Sequence, residues 1–112
     1  MNNIEIKKIE GDESQNIYSF LSLSEWSDYD KLLAIFTSDL IGYRILEQEE
    51  DGWYRKCILK NKRYYFTLAH DDMFGNIIYK SGSKIKGKRY YKKLEFIAND
   101  IADGINTKKY IV

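Results

Sequence analysis

Residues 43–80, YRILEQEEDGWYRKCILKNKRYYFTLAHDDMFGNIIYK, decide the fold of this chain. Over this stretch apolar and polar residues alternate with period two, and aromatic and β-branched side chains are frequent, as half-buried strands require. Tyr43–Gln48, Trp53–Lys60, Arg63–His70 and Asn76–Lys80 read as strands. Asp51-Gly52 is a hairpin turn, with glycine there to accept a positive φ. Asn61-Lys62 is a second tight turn, and Asp71–Gly75 a third, longer connection. Four sequential strands with short turns make an antiparallel meander.

Outward from the meander the period changes. Leu32, Leu33, Ile35, Phe36, Leu40 and Ile41 recur at helical spacing. Ser27 and Asp30 resemble a capping box, Asp28 and Asp30 fall where the helix dipole favours negative charge, and Gly42 stands at a C-terminal position. These signals predict a helix over 28–41. Tyr91, Leu94, Ile97, Ala98, Ile101 and Ala102 form a second stripe, predicting a helix over 89–103 that Gly104 ends. Ile4 and Ile6 alternate with polar neighbours, so Asn3–Ile9 reads as a strand, broken by Gly11-Asp12-Glu13-Ser14. In Ile17–Leu23, Ile17, Phe20 and Leu21 share a helical face. A short helix is expected there, although the serines also permit a strand. Ile105–Val112 is a candidate terminal strand. The expected class is α+β: a four-stranded antiparallel meander, open to extension by terminal strands, covered by two or three helices.

The chain's 112 residues fit a single domain. One cysteine, Cys57, excludes an internal disulfide, and with His70 the sole histidine no Cys/His zinc site can form. No apolar run approaches a membrane span, and Met1-Asn2-Asn3-Ile4-Glu5 lacks the pattern of a secretory signal. The expectation is a soluble protein of a reducing cytoplasm, with no metal, no cofactor and no membrane partner. Abundant Ile, Asn, Lys and Tyr suggest an AT-rich, bacterial-looking source. The net charge of +1 conceals an asymmetry. Residues 1–56 carry six basic and twelve acidic side chains, and residues 57–112 twelve basic and five acidic. Such polarity can steer a charged partner to one face.

The catalytic inventory is thin. His70-Asp71-Asp72 could form a base oriented by a carboxylate, but no motif places a serine or cysteine beside it, so a structural role is expected. A metal-independent nuclease using His70, a lysine and a tyrosine is the third-ranked reading. Cys57, mid-strand, is expected to be buried and inert. Glu47, Glu49, Glu50 and Asp51 cluster at a hairpin tip, where they form either a solvated turn or an acidic surface for a basic partner. A basic segment runs through Lys80, Lys84, Lys86, Lys88, Arg89, Lys92 and Lys93, interleaved with Tyr79, Tyr90 and Tyr91. Lysines neutralise phosphates and aromatic rings stack on bases, so Lys84, Lys86, Lys88, Arg89, Tyr90 and Lys92 form the candidate nucleic-acid surface. Ten tyrosines and two tryptophans exceed the needs of a small core. One member each of Trp53-Tyr54 and Tyr64-Tyr65 must point away from that core, and exposed aromatics beside charge are typical of recognition surfaces.

In size, composition and charge the chain resembles the immunity proteins of bacterial toxin–immunity pairs, such as those of contact-dependent growth inhibition. The resemblance is one of type. It rests on the acidic, aromatic stretch from Glu25-Trp26-Ser27-Asp28-Tyr29-Asp30 to Glu47-Gln48-Glu49-Glu50-Asp51 and transfers no individual residue role. It implies a non-enzymatic, stoichiometric inhibitor that occludes the active site of a basic toxin domain, often a nuclease. The surface expected to make that contact comprises Trp26, Asp28, Tyr29, Asp30, Glu47, Glu49, Glu50, Asp51 and Trp53. The alternative is a nucleic-acid-binding accessory or regulator using residues 80–93.

Overall fold

The period-two stretch forms the expected meander: β3 (Arg44–Asp51), β4 (Tyr54–Asn61), β5 (Tyr64–Asp71) and β6 (Gly75–Lys80) pair in sequence, all antiparallel. The computed structural model describes residues 4–10, 16–62, 64–80 and 88–110. The pairs Asp51↔Tyr54 and Asn61↔Tyr64 close two-residue hairpins. Gly52 lies in the first of these without adopting a positive φ, whereas Lys62 opens the second at φ 58°. In the third turn the Asp71 carboxylate accepts the backbone N–H groups of Met73 and Phe74, at 2.8 and 3.2 Å. Gly75, at φ +72°, then turns the chain into β6.

Four strands become six. β1 (Ile6–Glu10) forms a hairpin with β2 (Asn16–Phe20), and β2 pairs with β6, giving the order β1-β2-β6-β5-β4-β3. Residues 17–23 are therefore mainly strand, followed by a single 3₁₀ turn, Leu21–Leu23, rather than a short helix. The strand hides because its buried positions carry Tyr18 and Phe20 on one side but Ser19 on the other. Ser19 is satisfied by donating its hydroxyl to the Phe74 carbonyl at 2.7 Å.

Helix α1 spans Trp26–Phe36, five residues short of the expected end. Glu25 caps it, and the Asp28 carboxylate accepts the Glu25 N–H at 3.1 Å, so the capping pair lies two residues before the predicted one. The helix stops because the Thr37 and Ser38 hydroxyls donate to the Leu33 and Ile35 carbonyls, competing with continued backbone pairing. Gly42, at φ 78°, closes a separate turn by donating to the Ser38 carbonyl at 2.7 Å.

Helix α2 spans Lys88–Asn106 and passes through Gly104. That glycine is required by packing, not by a cap: a Cβ built there would lie 2.1 Å from the Tyr110 ring. The chain after α2 turns back so that Tyr110 N–H reaches the Gly104 carbonyl at 3.0 Å and its hydroxyl reaches Asp100 at 3.1 Å. The candidate terminal strand at 105–112 is thus helix and turn as far as Tyr110, and its last two residues lie outside the described ones.

One face of the sheet and both helices share one core. Tyr18, Phe20, Leu59, Phe66, Leu68 and Ile78 pack with Leu32, Ile35 and Phe36 of α1 and with Leu94, Ile97, Ala98 and Ile101 of α2. The fully buried Phe20, Phe36 and Phe66 each contribute roughly 2–3 kcal/mol by removal from water. The positions in between, Ile17, Ile58, Ala69, Ile77 and Tyr79, line the opposite face. Among the described residues no helix is long and apolar enough to cross a membrane.

Candidate interaction cleft

At one end of the sheet, three segments converge on a cleft of about 710 Å³. Leu21, Ser24, Glu25 and Trp26, leading into α1, form one wall. Gly52 and Trp53 of the β3–β4 turn form the second, and His70 to Gly75 of the β5–β6 connection the third. Its apolar side chains are exposed: Trp53 is 65% exposed and Met73 84%, with Leu21, Trp26 and Phe74 also exposed. Between these groups stand three carboxylates, Glu25, Asp71 and Asp72, and the single imidazole.

A buried side chain, Asn76, ties two of the walls together. Its amide donates to the carbonyls of Leu23 and Glu25, at 2.6 and 2.9 Å, which fixes which end is nitrogen. The remaining oxygen faces His70 Nδ1 at 3.0 Å. Nδ1 must then be the donor, and the neutral ring carries its lone pair on Nε2. Among the described residues Nε2 has no hydrogen-bond partner. The His70 ring meets Trp26 edge-on, with centroids 5.2 Å apart.

Arg55 on β4 holds Trp26 from the other direction. Its guanidinium lies 5.2 Å from the Trp26 ring and 4.2 Å from Tyr29, and it donates two hydrogen bonds to Asp30 at 2.9 and 2.7 Å. Glu50 is 3.8 Å from its Nε. The guanidinium keeps the Asp30 carboxyl below the usual carboxylate range. A carboxyl so shifted adds stability above its unfolded pKa of about 4, lost as pH falls through the lower folded value. Because Asp30 is largely exposed, screening limits the effect to about 1 kcal/mol or less. Urea unfolding at about pH 6 and about pH 3 is expected to show this loss in the wild type but not in Asp30→Asn. Equal acid sensitivity in the two proteins would remove the pair from the account.

The residues expected to bind a partner divide into three groups. Trp26 and Trp53 do share the cleft. Asp28 and Tyr29 do not belong to the surface: both are buried, Asp28 as part of the helix cap and Tyr29 beneath Arg55, where burial also pushes its phenol upward. Most of the remaining acidic groups are paired internally. Asp30 and Glu50 meet Arg55, and Glu49 meets Lys56 at 3.2 Å and the Tyr54 hydroxyl at 2.7 Å. Asp51 accepts the N–H of Gly52, and Glu47 is exposed on β3. The hairpin is therefore less negative than its composition suggests.

Of the basic set, Lys84 and Lys86 lie outside the described residues. Lys88, Arg89 and Tyr90 open α2, Lys92 is exposed on it, and Lys93 lies over the Tyr64 ring at 4.7 Å. Cys57 is buried, and burial raises its thiol pKa.

Comparison with protein-family models, curated proteins and solved structures finds no match. The cleft's chemistry must be read from its own residues. Among the described residues no serine, threonine or cysteine hydrogen-bonds to His70, and no group of three His, Cys, Asp or Glu side chains could hold a metal ion. What the cleft does offer is exposed ring and thioether surface beside carboxylates that form no ion pair among the described residues. Sequence reasoning missed Leu21, Met73 and Phe74. The signal was present in Asp71-Asp72-Met73-Phe74-Gly75, where two large apolar side chains occupy a tight turn that has no need of them.

Proposed function

We propose that this chain is a binding protein that engages a basic protein partner through the cleft end of its sheet. In line with its resemblance to immunity proteins, it acts as a cytoplasmic, stoichiometric inhibitor occluding the active site of a toxin, a nuclease being the expected class. The observation that carries the reading is the convergence of exposed Trp53, Met73, Phe74, Leu21 and Trp26 around Glu25, Asp71 and Asp72. Apolar surface concentrated at one place and rimmed by charge is characteristic of interfaces, where aromatic anchors supply much of the binding energy. The carboxylates add the electrostatic attraction that speeds association with a basic surface.

The test is affinity capture on the immobilised chain, run beside the triple variant Trp53→Ser, Met73→Ser, Phe74→Ser. The captured protein's enzymatic activity is then titrated with the wild-type chain. A basic partner is expected whose affinity falls about 100-fold or more in the variant, and whose activity disappears at one equivalent. Capture indifferent to the three substitutions, or activity untouched by excess chain, would refute the proposal. Retention of nucleic acid alone, weakening steeply with salt, would shift the function to the basic segment at 80–93.

A further inference from the structure

We infer that the cleft receives an arginine side chain of the partner, its guanidinium stacked on Trp53 and donating to His70 Nε2 and to the carboxylates of Glu25 and Asp72. The inference rests on the binding reading above and specifies the chemistry of that same site.

Polarity selects the charge of the occupant. Asn76 makes His70 Nδ1 the donor, so the neutral ring presents an acceptor at Nε2. Glu25 and Asp72 also only accept when ionised, and neither forms an ion pair among the described residues. These acceptors call for a group made of donors, and the three carboxylates of the cleft, Glu25, Asp71 and Asp72, repel phosphate and carboxylate ligands.

Shape selects guanidinium over ammonium. Trp53 is 65% exposed and meets Tyr54 only edge-on, with centroids 6.0 Å apart at 89°, so ring surface is left open. A guanidinium is planar, stacks on aromatic faces and spreads five donors in one plane; a lysine ammonium is a compact, strongly hydrated point charge. The same recognition already operates beside the cleft, where Arg55 lies against Tyr29 and Trp26 with Asp30 as its bidentate acceptor. Met73 and Phe74 then offer apolar contact to the residues flanking the arginine.

The chain's only two tryptophans both line this cleft, so intrinsic fluorescence reports from its walls. The probes are capped Gly-Arg-Gly peptide, the same peptide with citrulline, and the same with lysine. Citrulline keeps the planar shape and removes the charge. The arginine peptide is expected to give a saturable change in emission with a dissociation constant of roughly 1 mM, about tenfold tighter than either analogue. Asp72→Asn should weaken arginine binding severalfold while leaving the melting temperature unchanged, and Trp53→Leu should abolish it. Equal responses to arginine and citrulline, or no response to any peptide, would overturn the inference. If the peptides are silent while the triple variant still loses the partner, the guanidinium seat fails and the binding reading stands. If arginine binds as described but partner capture ignores the triple variant, the seat stands and the binding reading fails.

Discussion

Asn76→Leu is expected to destabilise the protein by about 3 kcal/mol. Leucine approximates the volume of asparagine but supplies neither donors nor an acceptor. The Leu23 and Glu25 carbonyls would each lose the N–H that now meets them, at 2.6 and 2.9 Å, and His70 Nδ1 would lose its acceptor. Because Asn76 is fully buried, no water replaces them without rearrangement. In a domain of this size such a loss lowers the melting temperature by roughly 15 °C. Urea unfolding followed by circular dichroism measures it directly. A loss below about 1 kcal/mol would mean that these hydrogen bonds do not hold the Leu21–Glu25 segment to the sheet.

Gly75→Ala should cost about 2–4 kcal/mol, for a reason independent of hydrogen bonding. The backbone at Gly75 has φ +72°, and an added Cβ would lie 2.7 Å from Ser24 Cβ and 2.9 Å from Ser24 Cα. One neighbour is backbone, so the strain cannot be relieved by a side-chain rotation. Gly52→Ala is the matched control. Its Cβ would meet nothing within 4 Å and its φ is not positive, so a change within about 0.5 kcal/mol is expected. Similar losses for the two variants would contradict the close approach at Ser24.

The meander was legible because three independent signals agreed over residues 43–80: period two, β-rich composition and turn residues at the right intervals. The helices were legible in their apolar stripes but not at their ends. At α1 the capping pair is Glu25 and Asp28, an acidic pair that imitates its neighbours Ser27 and Asp30 in sequence. At α2, Gly104 looks like a stop signal but answers to the Tyr110 ring, a contact that only the folded chain reveals. β2 is ambiguous between helix and strand in sequence because its outer face carries a serine whose partner, the Phe74 carbonyl, lies 55 residues away. The cleft was half legible. Trp26 and Trp53 stand out as recognition residues from composition and position. The acidic hairpin looks more negative in sequence than it is, since Arg55 and Lys56 neutralise Glu49, Glu50 and Asp30 only once β4 is paired with β3 and packed near α1.

The strand order has a kinetic meaning. Strands β3 to β6 pair with sequence neighbours, whereas β2 reaches β6 across some sixty residues, through the register pairs Ile17↔Tyr79, Tyr18↔Ile78 and Ser19↔Ile77 among the described residues. The N-terminal hairpin is therefore expected to open before the ladder from Arg44 to Lys80, at the cost of uncovering Tyr18 and Phe20. The segment from Leu21 to Trp26 follows directly from β2, so the same opening would remove one wall of the cleft. An occupant of the cleft is then expected to hold the hairpin against the sheet by mass action and to slow amide exchange in β1 and β2.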